Sequence, residues 1–175
     1  MMKLITLIVA VFMLFTSTNA NDFKRAMETI ELRKSAMQGI WSRVKRLAPY
    51  VEFNENIEYG PEIAKQDAKE ISQLLKRTKE LWPSISNLSH KNLSNANPAV
   101  WVLPEYFVRL YDNAEKSALL LEKSLENDSL EESEIAMCKL GNACGTCHSS
   151  FRRLLTSQLA NEASAWAGKY TENCN

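Results

Sequence analysis

The chain has 175 residues with 21 basic and 21 acidic side chains, so its formal charge is zero. That balance supplies no basic stripe for nucleic acid, and the length suits one domain with one sizeable core. Only five glycines and five prolines punctuate long alternations of charged and apolar residues, which argues against a sheet protein and leaves no low-complexity tail.

The chain opens MMKLITLIVAVFMLFTSTNA. Lys3 gives a short positive start, Leu4 to Phe15 is apolar except for Thr6, and Thr18-Asn19-Ala20 offers small residues for cleavage. Residues 1–20 therefore read as a secretory signal peptide. A spanning helix needs roughly twenty apolar residues, and neither this run nor any later one is long enough. After its removal residues 21–175 carry 20 basic and 21 acidic side chains. Export places the chain in the periplasm, where unprotected thiol pairs oxidise.

The spacing predicts a first helix capped by Asp22, with Phe23, Met27, Ile30, Met37, Ile40, Trp41, Val44 and Leu47 on one face and Pro49 at its end. A second runs from Pro61 to about Leu81, with Ala64, Ala68, Ile71, Leu74, Leu75 and Thr78 facing inward and Pro83 just beyond. Residues 84–97 are polar and read as a connecting loop that includes a solvated His90. A third helix starts near Pro104 and aligns Phe107, Leu110, Tyr111, Ala114, Ala118, Leu121 and Leu125. The fourth starts at Ser129, which forms an S-x-x-E capping box with Glu132, and carries Met137, Leu140, Cys144, Cys147, His148, Phe151 and Leu155. Four amphipathic helices hide their apolar faces most simply in an antiparallel four-helix bundle, so the expected fold is all-α. The domain spans residues 21–160, followed by a C-terminal extension, 161–175, whose own apolar spacing either prolongs the fourth helix or folds back. Trp41, Trp82, Trp101 and Trp166 read as packing residues.

The chemistry concentrates in CGTCH, residues 144–148. C-x-x-C-H is the attachment signature of c-type haem, while C-x-x-C alone also serves zinc sites and thiol redox enzymes. On a helix Cys144, Cys147 and His148 share the inward stripe, since they lie three and four residues apart. A thioredoxin-like pair needs a strand before it, and none is readable. A structural zinc site needs four ligands, and His90, Cys138 and Cys174 make no second knuckle. Covalent haem c, one per chain, explains the spacing: two thioether links fix the macrocycle and His148 becomes the proximal iron ligand.

LGNACGTCHSSFRR resembles the haem helix of the cytochrome c-prime family, the class II c-type cytochromes, through Gly141, Cys144, Cys147, His148, Phe151 and Arg152. ELRKSAMQGI, residues 31–40, is similar to that family's first helix, where an arginine precedes by four residues the side chain over the distal haem face; those positions are Arg33 and Met37. NPAVW is similar to the loop before the family's third helix. The resemblance implies a haem bundle in which Met37 either binds the iron opposite His148 or only covers it. The first arrangement is a low-spin, one-electron carrier for redox partner proteins, and the CGTC spacer with methionine at the distal position looks closer to that branch. The second is five-coordinate, high-spin iron that takes diatomic gases such as NO and CO. Methionine as ordinary core filler is the plain alternative.

Arg33 interrupts an apolar stripe, where a buried cation needs a partner; a haem propionate would serve, or the side chain snorkels to the surface. Arg152, four residues after His148, hydrogen-bonds a propionate or screens the ligand, or else is plainly exposed at the surface. If the first helix starts beside a fourth-helix end near Ala160, Met37 and His148 stand about 22 Å and 18 Å along, at ~1.5 Å per residue, and can face each other across one haem. No acid or base stands beside a substrate pocket, so the chain is read as a non-enzyme. Cys138 and Cys174 remain after haem attachment, and the tail is long enough to pair them in a disulfide. The family also forms homodimers, and the extension is a departure that bears on whether the same interface is used.

Overall fold

The computed structural model describes residues 2–53, 59–88, 93–153 and 174. Four long helices, α1 (Met2–Phe53), α2 (Pro61–Thr78), α4 (Pro104–Glu126) and α5 (Leu130–Phe151), form the antiparallel bundle; α3 (Ala99–Val102) is a single turn before α4. Packing joins α1 to α2, α2 to α4, α4 to α5 and α5 back to α1, closing the ring around one core. Among the described residues no helix is long and apolar enough to cross a membrane.

The α4 stripe is buried as its spacing predicts, from Phe107 through Leu125. On α1 the buried face is narrower and smaller-grained: Ala26, Ile30, Ala36, Ile40, Val44, Leu47, Ala48 and Val51 line it, whereas Phe23, expected inside, is 46% exposed. Small residues at Ala26 and Ala36 let α1 come close to its neighbours, a role that a search for large apolar side chains overlooks.

Several boundaries differ from the sequence expectation. Pro49 does not end α1, which continues to Phe53. A proline inside the final turns forfeits one intrahelical bond, and burial of Leu47, Ala48 and Val51 around it offsets that loss. The second helix stops at Thr78, short of Leu81, where the Leu81 N–H donates to Thr78 O and turns the chain toward Pro83. Residues 84–97 are more structured than a polar loop: Ser84–Ser86 is a turn of 3-10 helix, and Ser86 and Ser94 are buried. Asn95 to Asn97 lies antiparallel to the end of α5, with Arg153 N–H on Asn95 O (2.7 Å) and Asn97 N–H on Phe151 O (2.8 Å).

At the α4–α5 turn Asp128 takes φ of 55°, and Lys65 of α2 holds its carboxylate at 2.8 Å. Ser129 caps α5 by accepting the Glu132 N–H, as the capping box predicts. The helix closes at Phe151, because Arg152 turns to extended backbone and joins the Asn95–Asn97 segment. That removes the premise of a fourth helix reaching Ala160, and with it the axial estimate built on that end. Leu155, Ala160, Trp166 and the rest of the extension, like His90, lie outside the described residues, Cys174 excepted.

α1 and α2 are locked by a charged cluster. The buried Asp67 carboxylate accepts from Arg46 Nε and Nη2 (3.1 and 2.8 Å) and from the Tyr59 hydroxyl (2.7 Å). Arg43 reaches Glu70 beside it. Burial and the Asp67 carboxylate together hold the Tyr59 phenol above its ordinary range.

Candidate haem site

The stripe of α5 that faces the bundle is tightly buried above and below CGTCH and open at it. Met137, Leu140 and Phe151 are at most 4% exposed, whereas Cys144, Cys147 and His148 between them are only half-buried. On α1, which packs against α5, Met37 is half-buried beside the buried Ala36 and Ile40. Met37, Cys144 and Cys147 all pack against the same core cluster. Protein atoms therefore fill the α5 stripe on either side of CGTCH and leave CGTCH itself incompletely covered, as a planar group attached there requires.

Cys144 and Cys147 are free of disulfide. Burial pushes the Cys144 thiol up to about 12, with the neighbouring Cys147 adding to it, and burial pushes Cys147 to about 11. A dithiol enzyme needs the opposite, a thiol lowered toward neutrality. Among the described residues no group of three or more His, Cys, Asp or Glu side chains is arranged to hold a metal ion by itself, so zinc gains no support. Thioether attachment suits these thiols, because it uses both sulphurs and leaves no buried charge.

Arg33 does not snorkel. It is 4% exposed, with Nη1 donating to Leu81 O and Ser86 Oγ, both at 2.7 Å, and its guanidinium stacks 4.3 Å from the Trp82 ring centroid. Nη2 is buried with no hydrogen-bond partner, and so is the Trp82 indole Nε1. Desolvation lowers the Arg33 pKa to about 10. A buried guanidinium with an unmade donor fits an anionic group that the polypeptide does not provide, which a haem carboxylate would be. Arg152 sits just past the helix, its N–H on His148 O at 3.0 Å, and burial lowers its pKa also. The structure joins Cys138 to Cys174 in a disulfide with Cα atoms 5.6 Å apart, bringing the chain's end back to α5, where Asn142 Nδ2 donates to Cys174 Sγ.

Sequence reasoning missed the surroundings of Arg33. Leu81, Trp82 and Ser86 enclose it, although Trp82 reads as simple packing and Ser86 as loop. The signal available was the cation itself, since an arginine on an apolar stripe demands carbonyl, hydroxyl or aromatic partners from some other segment.

A four-helix bundle that presents C-x-x-C-H on an inward stripe beneath an incompletely covered level defines a c-type haem protein. Comparison with known proteins agrees: residues 28–152 match the family described as Cytochrome C'. The chain belongs to the cytochrome c′ family, and its cofactor is covalently bound haem c. Among curated proteins it is similar to cytochrome c-554 of Cereibacter sphaeroides, with 29% identity over 77% of this chain and 86% of that one. Among solved structures it resembles cytochrome c′ of Rubrivivax gelatinosus, with a TM-score of 0.66 and 22% identity over 73% of this chain and 97% of that one. It also resembles a nitric oxide complex of a cytochrome c-prime variant from Alcaligenes xylosoxidans, with a TM-score of 0.66 and 17% identity over 74% and 97% of the two chains.

Proposed function

We propose that this chain is an exported, periplasmic one-electron carrier with one haem c. The bound haem supplies an iron(III)/iron(II) couple; the polypeptide's part is to hold it, ligate it and set its surroundings. Cys144 and Cys147 provide the thioether sulphurs, His148 the proximal imidazole and Met37 the distal thioether. Arg33 and Arg152 act toward the propionates. The carrying observation is the interruption in burial on the α5 stripe at Cys144, Cys147 and His148, between the buried Leu140 and Phe151. Residues 1–20 act as the cleaved leader and residues 21–160 as the cytochrome domain, with 161–175 as an extension tied back through Cys138 and Cys174. No proton donor or acceptor of a reaction is assigned, so the chain is read as a carrier without turnover, serving redox partner proteins.

Were Met37 a ligand, it and His148 would hold the haem from both faces, so little in the polypeptide would need to rearrange on electron transfer. A second reading has a specific observation behind it: similar solved structures are complexes with NO and with CO. In that reading Met37 shields the distal face without binding, the iron is five-coordinate, and diatomic gases are the ligands. Absorption spectra of the matured holoprotein, oxidised and reduced, with and without CO, separate the two. A low-spin spectrum with sharp reduced bands and little response to CO supports the carrier. A high-spin spectrum that changes with CO moves the function to gas binding.

A further inference from the structure

We propose that the strap from Leu81 to Ser86 is part of the haem site, with the Trp82 indole N–H and Arg33 Nη2 as paired donors to one propionate carboxylate and Ser86 as the residue that positions the guanidinium. The inference rests on the haem reading above.

Arg33 is oriented from three sides by this strap. Leu81 O and Ser86 Oγ take its Nη1, while the Trp82 ring lies against its plane. Ser86 is itself fully buried and donates to Pro83 O at 2.7 Å, so its oxygen presents a lone pair to Arg33 in a fixed direction. The strap is held from the other side by Trp101, whose Nε1 donates to Trp82 O at 3.1 Å. The buried side-chain atoms left here without a hydrogen-bond partner are Arg33 Nη2 and Trp82 Nε1.

These two unmade donors belong to side chains in stacking contact. A water could satisfy one N–H, but it would leave the buried cation uncompensated. Desolvation is what lowers the Arg33 pKa, and among the described residues no carboxylate is paired with its guanidinium. An indole N–H is a donor only, and an arginine is a donor only, so the missing partner is an acceptor with negative charge and room for two hydrogen bonds. A carboxylate meets all three conditions, and the haem carries two. Trp82 then has a double part: its face supports the cation and its edge binds the anion that the cation attracts.

The test is proton NMR on the reduced holoprotein labelled with 15N-tryptophan, which is diamagnetic as it stands if Met37 ligates and is brought to that state with CO if the iron is five-coordinate. Its Trp82 indole resonance is assigned by its disappearance in Trp82→Phe. The expected result is a nuclear Overhauser effect between Trp82 Hε1 and propionate methylene protons. Midpoint potentials give a second readout. Removing a donor concentrates negative charge on the carboxylate and favours oxidised iron, so Trp82→Phe and Arg33→Leu each lower the potential. If both serve one carboxylate, the double variant departs from the sum of the two shifts. Overturning results are haem signals with no Overhauser contact to Trp82 Hε1 and a Trp82→Phe potential equal to wild type, which is what a packing role predicts. A chain that takes up no covalent haem overturns the functional reading and this inference together, and is recognised by the absence of any haem resonance.

Discussion

Replacing Asp67 with alanine tests how the bundle's first two helices are held. The side chain is 6% exposed and ties α1 to α2 through Arg46 and to the entry of α2 through the Tyr59 hydroxyl. Breaking a buried ion pair from one side costs about 3–5 kcal/mol because the other charge is stranded. Arg46 is 51% exposed and regains water, which places the loss at the low end. Tyr59 is 6% exposed and does not, so its hydroxyl adds part of the ~1–3 kcal/mol of an unsatisfied buried donor. A net destabilisation of about 3–4 kcal/mol follows. Chemical denaturation of the holoprotein, followed by far-ultraviolet circular dichroism, measures it, while the haem absorption spectrum stays that of wild type because the cluster lies away from CGTCH in the chain and holds none of its residues. A loss below about 1 kcal/mol would refute the reasoning, since that is the range of a surface pair. An Arg46→Met/Asp67→Leu double variant should recover much of the loss, because it strands no charge.

Met37→Ala should convert low-spin to high-spin iron in the absorption spectrum; an unchanged spectrum would defeat Met37 as ligand. Thiol titration of the denatured, unreduced holoprotein should find no reactive thiol, with Cys144 and Cys147 in thioethers and Cys138 joined to Cys174, and two reactive thiols would contradict the disulfide. Cys138→Ser, which opens a link across a sequence separation of 36, should cost about 4 kcal/mol by the chain-entropy account, read as a lowered denaturant midpoint. Lys79, whose pKa is raised by its hydrogen bond to Asp112, contributes stability that is present below its ordinary pKa of 10.5 and is lost as pH rises through the raised value. The difference between wild type and Lys79→Met in denaturation midpoint should therefore shrink on going from neutral to strongly alkaline solution.

The α4 stripe was legible because Phe107, Leu110, Tyr111, Leu121 and Leu125 are large and apolar and recur, with Ala114 and Ala118 between them, at helical spacing. The α1 stripe was less so, since Ala26 and Ala36 are buried for being small while Phe23 is exposed. Helix ends misled for a related reason. Pro49 looks like a stop, yet packing of its neighbours into the core outweighs one lost backbone bond. A continuous apolar spacing past Phe151 looks like more helix, yet pairing of residues 95–97 with 151–153 satisfies the last turn and redirects the chain.

The sequence by itself determined the class of fold and, through CGTCH, the class of cofactor, because helical period and C-x-x-C-H spacing are local properties written within a few turns. It also contained Arg33 as an anomaly, a charge where an apolar residue belongs. Only the tertiary structure decided how that anomaly is resolved, since the groups that hold the guanidinium lie some fifty residues away, on a strap whose composition resembles any polar loop. Period and propensity act along the chain, whereas the desolvation of a cation is settled by whatever the fold brings against it, and no spacing rule records that meeting.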